Sequence, residues 1–218
     1  MRPGDAEDAE DERALSPEEM LRIIESQRAV TARRLGGDPP VFYVVWGLAW
    51  LVGFGAFFLH YGLSGRSYAP ISVGSATAIL FAAMALAIAI TSYVGWKQNS
   101  QVRGVSQDRA TMYGLSWFFA FFGMGIIGSH FDKVLPPAES GLLWASLSVW
   151  IVSILFMAGA AVWRQPAMFF VGVWIAAVNM VGVPAGPGWH ALLVSAGVGG
   201  GFIAIGAVLR VRLRPGKA

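Results

Sequence analysis

The three histidines are the side chains of this sequence best suited to binding a metal ion or moving a proton. His60, His130 and His190 each lie near the end of a long apolar stretch, and Asp132 follows His130 closely. Neutral imidazoles from different helices, with one carboxylate, are the ligand types that zinc accepts. The alternative is that these are ordinary amphipathic side chains at the ends of the apolar stretches. The absence of a close pair such as HxxxH favours that alternative.

Asn179 is the carboxamide placed deepest within an apolar stretch. An unpaired amide in apolar surroundings costs on the order of several kcal/mol, so Asn179 requires a hydrogen-bond partner. We expect a partner on a neighbouring helix, with Ser195, Ser148 and Thr77 as candidates. In the alternative interpretation, Asn179 faces a solute.

A cluster of glycines occurs near the end of the chain, where Gly197 and Gly201 have GxxxG spacing. Glycines at this spacing allow two helix backbones to approach closely. The pattern therefore favours helix packing, and the alternative is a hinge or a ligand-facing kink. Both glycines remain substrate-facing candidates together with Asn179.

Several classes of chemistry lack their residues. The chain has no cysteine, which excludes disulfides, thiolate metal sites and cysteine nucleophiles. It has no phosphate-binding loop, no GxSxG and no HExxH, and the GxGxxG match at 123–128 lies in an apolar stretch without a preceding strand. We expect no cofactor and no nucleic-acid partner, and an enzyme is the less favoured class.

The apolar stretches determine the fold class. Of the 218 residues, 56% are hydrophobic and 13% are charged, which is typical of a chain that crosses a membrane several times. A helix needs roughly 20 apolar residues to cross a bilayer. We therefore predict an all-α, polytopic membrane protein with a six-span domain over 41–209, arranged as three hairpins, with spans at about 41–61, 70–96, 111–131, 141–163, 167–183 and 189–209.

The distribution of charge predicts the orientation. With the N-terminus in the cytoplasm, eleven Lys and Arg residues lie in the inner segments near the span ends, whereas Arg66 and Lys133 lie on the outer side. Such a bias is typical of cytoplasmic loops. We predict a multi-pass protein of the bacterial plasma membrane with both termini, including the basic tail 210–218, in the cytoplasm. The cores of the spans carry no charged residue, which disfavours ion-coupled transport.

The N-terminal region differs from the rest of the chain. Residues 1–15 are densely charged and are predicted to be a disordered acidic tail. Ser16-Pro17-Glu18-Glu19 is a helix start with a capping box, and it predicts a cytosolic amphipathic helix over 16–37. Its apolar residues would contact either the membrane surface or a cytoplasmic partner. The partner-binding candidates are Leu21, Ile23 and Ile24.

A shift of 67 residues aligns the first two spans with the next two. Trp46-Gly47-Leu48-Ala49-Trp50 then matches Tyr113-Gly114-Leu115-Ser116-Trp117, and the match continues without a gap to Trp96-Lys97-Gln98 against Trp163-Arg164-Gln165. Because two spans separate the copies, they would have the same orientation, as in a parallel repeat. The alternative is chance similarity between apolar spans.

Two short motifs carry a family resemblance. A helix that opens with Ser16-Pro17-Glu18-Glu19 precedes a first span with the core Trp46-Gly47. In this layout the chain resembles a group of uncharacterised bacterial multi-span membrane proteins. The resemblance covers residues 16 to about 55 and implies a fold but no activity.

Two functions from different classes fit these observations. The first is a permease-like component that passes or senses a small solute, working with a separate ATP-binding subunit because the chain has no ATP site. The second is a membrane scaffold or regulatory subunit that recruits a cytoplasmic protein through its N-terminal helix. Besides the lipid bilayer, a further copy of the chain is a candidate partner.

Overall fold

The computed structural model describes residues 16–23, 39–63, 65–99 and 105–212. The chain divides into two units, Met1–Gly37 and Asp38–Ala218, and each is described by itself. The predictions for the acidic tail 1–15, for 24–37 with Ile24, and for 213–218 lie outside the described residues.

The described part of the first unit is a helix over residues 17–23. The predicted capping box is present, since the backbone N–H of Ser16 donates to Glu19 Oε2 at 2.9 Å and the backbone N–H of Glu19 donates to Ser16 Oγ at 3.2 Å. Two hydrogen bonds with Ser16 hold the pKa of Glu19 below its usual value. The bond from the backbone N–H of Ser16 contributes most, and the bond to its side chain contributes less. Leu21 is 59% exposed and Ile23 is 42% exposed.

The described residues of the second unit form six helices that are long and apolar enough to cross a membrane, as predicted. The described residues contain no strand, so the all-α assignment is confirmed. The sixth helix has three segments, of which Leu193–Gly200 is a π-helix. The helices are α1 Pro39–Tyr61, α2 Val73–Asn99, α3 Val105–Phe131, α4 Pro137–Trp163, α5 Pro166–Ala185 and α6 Pro187–Arg212.

Proline and glycine determine where the later helices begin and end. Proline stands at the start of α4, α5 and α6, where its missing N–H is harmless and its fixed φ favours the helix. Gly186 alone separates α5 from α6, with φ +92°, a value that favours glycine. The result is a very tight hairpin.

Four helices surround one apolar core. Helix α1 packs against α6, α6 packs against α5, and α5 packs against α4. Side chains from all four helices form the core, which places α1 and α4 on opposite sides of it. The buried core residues are Trp50, Phe54, Val149, Val152, Phe156, Ile175, Val178, Val194, Val198 and Phe202.

The other two helices lie at the periphery. Among the described helices, α2 contacts only α1 and α3 contacts only α4. Large apolar side chains on their outer faces are exposed, for example Phe81 at 68% and Phe119 at 63%. In a membrane such faces meet lipid, so their exposure fits the assignment as spans.

Candidate functional site: a cavity at one end of the bundle and a buried polar pair

A cavity of about 480 Å³ lies at one end of the helix bundle. It is lined by the end of α1 and the loop after it, by Ala138 at the start of α4, and by the α5–α6 turn. The lining residues are 60–63, 65, 67, 138 and 185–189. The volume falls within the usual range for small-molecule sites.

His60 lines this cavity and is held by the loop between α1 and α2. Its Nδ1 lies 2.6 Å from the backbone oxygen of Ile71. A carbonyl oxygen can only accept a hydrogen bond, so Nδ1 carries the proton of this bond. In the neutral ring, Nε2 is therefore a hydrogen-bond acceptor.

Tyr61 also lines the cavity, and its hydroxyl is tucked against α4. A Cβ atom added at Gly141 would come within 2.6 Å of the hydroxyl oxygen, so only glycine leaves room for the tyrosine there. The hydroxyl is buried and has no hydrogen-bond partner among the described residues. An unsatisfied buried polar group costs about 1–3 kcal/mol, which makes Tyr61 an unusual feature of this region.

A polar pair lies in the core, and one of its members, His190, directly follows the cavity-lining residue Trp189 in the chain. His190 is 1% exposed and Asn179 is 4% exposed, and His190 Nε2 lies 2.8 Å from Asn179 Oδ1. Asn179 Nδ2 donates to the backbone oxygen of Ser146 at 3.1 Å. Because the Ser146 oxygen only accepts, the amide orientation is determined, and His190 Nε2–H is the donor to Asn179. The pair thus links α6, α5 and α4.

Two further contacts tie α6 to its neighbours. The hydroxyl of Ser195, within the π-helical segment, donates to the backbone oxygen of Leu51 in α1 at 2.9 Å. Trp174 Nε1 in α5 donates to the backbone oxygen of Gly197 at 3.1 Å. Together with the polar pair, these bonds connect all four core helices. π-helical segments inside α-helices are frequent at functional sites.

Apolar side chains close the bundle below the polar pair. The ring of Phe54 meets the ring of His190 edge-on at 6.3 Å, and Trp50 stacks on Phe54 at 5.4 Å. Val149, Val194 and Val198 are fully buried at the same core. The cavity is therefore open at one end of the bundle and sealed from the other end by the core.

The four residues considered for a metal site are not brought together. His60 bonds Ile71 and His190 bonds Asn179, whereas His130 is exposed at the end of α3. Asp132 accepts from the hydroxyl of Ser140 and, at 3.4 Å, from the indole N–H of Trp144. In the part of the chain that the structure describes, no group of three or more His, Asp or Glu side chains could hold a metal ion.

The tight contact between α1 and α6 involves glycines other than the predicted pair. A Cβ at Gly197 or Gly201 would meet α5 at 3.4–3.5 Å, which is an ordinary contact. By contrast, a Cβ at Gly199 would lie 2.6 Å from the backbone nitrogen of Leu51, and one at Gly47 would lie 2.8 Å from the backbone oxygen of Gly199. The GxxxG pattern indicated a segment that does pack closely against other helices, but the face of this segment in tight contact with α1 is that of Gly199.

Asn179 was predicted to need a partner on a neighbouring helix, but the expected partners Ser195, Ser148 and Thr77 are not the observed ones. His190 was expected near the end of an apolar stretch and not as a partner of Asn179. The structure buries His190 because it follows the tight turn at Gly186 and points back along α5. The signal in the sequence was a polar residue on each side of the Gly186-Pro187 turn.

In comparisons with protein-family models, curated proteins and solved structures, nothing matches this chain.

Proposed function

We propose that this integral membrane protein is a permease-like component that admits a small solute to the outer cavity and passes or senses it. The observation that carries the proposal is the cavity of about 480 Å³, whose wall includes His60 and Tyr61. The hydroxyl of Tyr61 is buried and has no hydrogen-bond partner among the described residues. The buried His190–Asn179 pair is an interhelical packing contact that holds α4, α5 and α6 together.

The proposal includes an orientation. The bias of eleven Lys and Arg residues against two supports cytoplasmic termini in a bacterial plasma membrane. In that orientation the end of α1 and the turn between α5 and α6 face outward, and so does the cavity. A solute would therefore enter from the outer side, and the sealed core would separate it from the cytoplasm until the helices move.

The absence of cysteine from the whole sequence makes the test direct, because one introduced thiol can be labelled alone. Ala138→Cys places a thiol in the cavity wall, and Val134→Cys places one in the nearby loop, where Val134 is 74% exposed and outside the lining. A membrane-impermeant thiol reagent added outside intact cells should label both variants. Labelling of neither would contradict the orientation.

Protection by solutes then tests the cavity itself. Benzamide, acetophenone and benzoate have a similar shape and size. They differ in the group on the ring, which is a carboxamide in benzamide, a ketone in acetophenone and a carboxylate in benzoate. At least one of them should slow the labelling of Ala138→Cys in a saturable manner and leave the rate at Val134→Cys unchanged. Failure of all three to protect Ala138→Cys would contradict the proposed solute site.

A second candidate function rests on the N-terminal helix. Met20 and Leu21 are 47% and 59% exposed, which suits a surface that binds a cytoplasmic protein. If the protein is a scaffold, the double substitution Ile23→Asp with Ile24→Asp should remove a co-purifying protein and leave the six-helix unit folded. An unchanged set of co-purifying proteins would count against this function.

A further inference from the structure

The residues that line the outer cavity indicate which kind of ligand suits it. None of its lining residues is Asp, Glu, Lys or Arg, and the exposed Arg66 in the adjoining loop is not part of the lining. A charged solute would lose water there without meeting an opposite charge, which is unfavourable. The rings of Tyr61 and Trp189 supply apolar surface instead. The lining therefore suits an uncharged solute with an apolar part.

His60 adds a directional polar group. Its Nδ1–H is committed to the backbone oxygen of Ile71 at 2.6 Å, which holds the ring in place at the cavity wall. The neutral ring can then only accept at Nε2, so the partner it suits is an N–H or O–H group.

Tyr61 adds the complementary group. Its ring lies 4.8 Å from the ring of His60, and its buried hydroxyl has no partner among the described residues. A turn of this side chain from Gly141 toward the cavity would let the hydroxyl donate to a ligand oxygen. An acceptor on His60 beside a donor on Tyr61 matches a group that both donates and accepts, such as a hydroxyl or a carboxamide.

We infer that the cavity selects an uncharged small molecule bearing a hydroxyl or carboxamide group, with His60 Nε2 accepting its hydrogen bond. This inference rests on the proposed function, because it names the solute class of the same cavity. His60 and Tyr61 are its specificity-determining residues, and the His190–Asn179 pair maintains the helix contacts beside it.

The test uses the full-length Ala138→Cys protein in membranes, and each of the same three probes is titrated over one range of free concentration. Benzamide carries a donor, acetophenone lacks one, and benzoate is charged. Benzamide should protect the thiol at about tenfold lower concentration than acetophenone, which corresponds to about 1.4 kcal/mol, near the upper range for one neutral hydrogen bond. Benzoate should protect least.

Two substitutions assign the effect to His60. His60→Phe should raise the half-protecting concentration of benzamide about tenfold and leave that of acetophenone unchanged. His130→Phe is the matched control, since it makes the same change at an exposed position outside the cavity, and it should alter neither value. His60→Gln keeps a donor for Ile71 and an acceptor for the ligand, so it should restore most of the preference for benzamide.

The outcomes separate the two proposals. If acetophenone or benzoate protects as well as benzamide, the solute site stands and the inferred class is wrong. If His60→Phe weakens benzamide and acetophenone equally, His60 is not the selecting residue and the inference is overturned. If no probe protects, the proposed function fails and the inference fails with it. The comparison of the three probes on Ala138→Cys alone remains decisive if His60→Phe does not fold.

Discussion

Helices α1 and α3 have similar sequences at their starts but occupy very different places in the molecule. Trp46-Gly47-Leu48-Ala49-Trp50 in α1 aligns with Tyr113-Gly114-Leu115-Ser116-Trp117 in α3. Helix α1 packs between α2 and α6, whereas α3 contacts only α4 among the described helices. Gly47 is in tight contact with α6, but a Cβ at Gly114 would meet no atom within 4 Å. The parallel repeat remains a prediction, and its two copies have unlike surroundings.

This difference shows what a small-residue pattern does in a membrane helix. Lipid tails are as apolar as a leucine side chain, so hydrophobicity alone does not draw a helix to the centre of a bundle. A glycine permits close approach only if another helix presents a matching surface. Gly199 on α6 provides that surface for Gly47, and no described helix provides it for Gly114.

The largest expected loss of stability comes from replacing Gly47 with leucine, and the same replacement at Gly114 is its control. Gly47→Leu would push a side chain into the backbone of α6 at Gly199 and Ile203, and overpacking of this kind should cost about 3 kcal/mol or more. Gly114→Leu should change the stability by no more than about 0.5 kcal/mol. Unfolding of the purified protein in mild detergent measures both. Equal losses would show that the two helices are packed alike.

Breaking the Asn179–His190 pair should cause an intermediate loss of stability, and a matched change in the peripheral helix α3 should not. Asn179→Leu leaves the buried His190 Nε2–H without a partner and removes the side-chain bond to the Ser146 oxygen, at a cost of about 1–3 kcal/mol. Thr111→Val in α3 is the control, because its hydroxyl bonds only the backbone of its own helix, at Gln107. A double-mutant cycle with His190→Phe should show clear coupling between the two positions. Independent, additive losses would indicate that the two side chains do not interact.

The smallest expected effect concerns two serines that occupy comparable apolar helices. Ser195→Ala removes the bond from α6 to Leu51 in α1 and should cost about 0.6 kcal/mol, and at most about 1.7 kcal/mol. Ser116→Ala in α3 removes a bond to Met112 of its own helix and should have almost no effect. The same detergent unfolding measurement applies. A larger loss for Ser116→Ala would mean that α3 has a packing partner through this face.

Much of the architecture was predictable, because it depends on short-range physics. The six spans lie within a few residues of their predicted bounds, since bilayer thickness determines the length of an apolar helix and proline marks where it begins. The capping box of Ser16 and Glu19 forms as its spacing predicts. The candidate site was predictable only in part. Asn179 was recognised as needing a partner, but neither His190 as that partner nor the cavity at His60 and Tyr61 was found.

The six apolar helices of the described residues follow from local sequence, because a segment in lipid must satisfy its own backbone hydrogen bonds. Long-range packing places α1, α4, α5 and α6 at the centre, brings Gly199 rather than Gly201 into the tight contact, and pairs Asn179 with His190. Local sequence does not predict this packing, because lipid and protein interior are equally apolar. Hydrophobicity cannot rank such helices from centre to periphery, and the ranking depends on matching surfaces from distant parts of the chain.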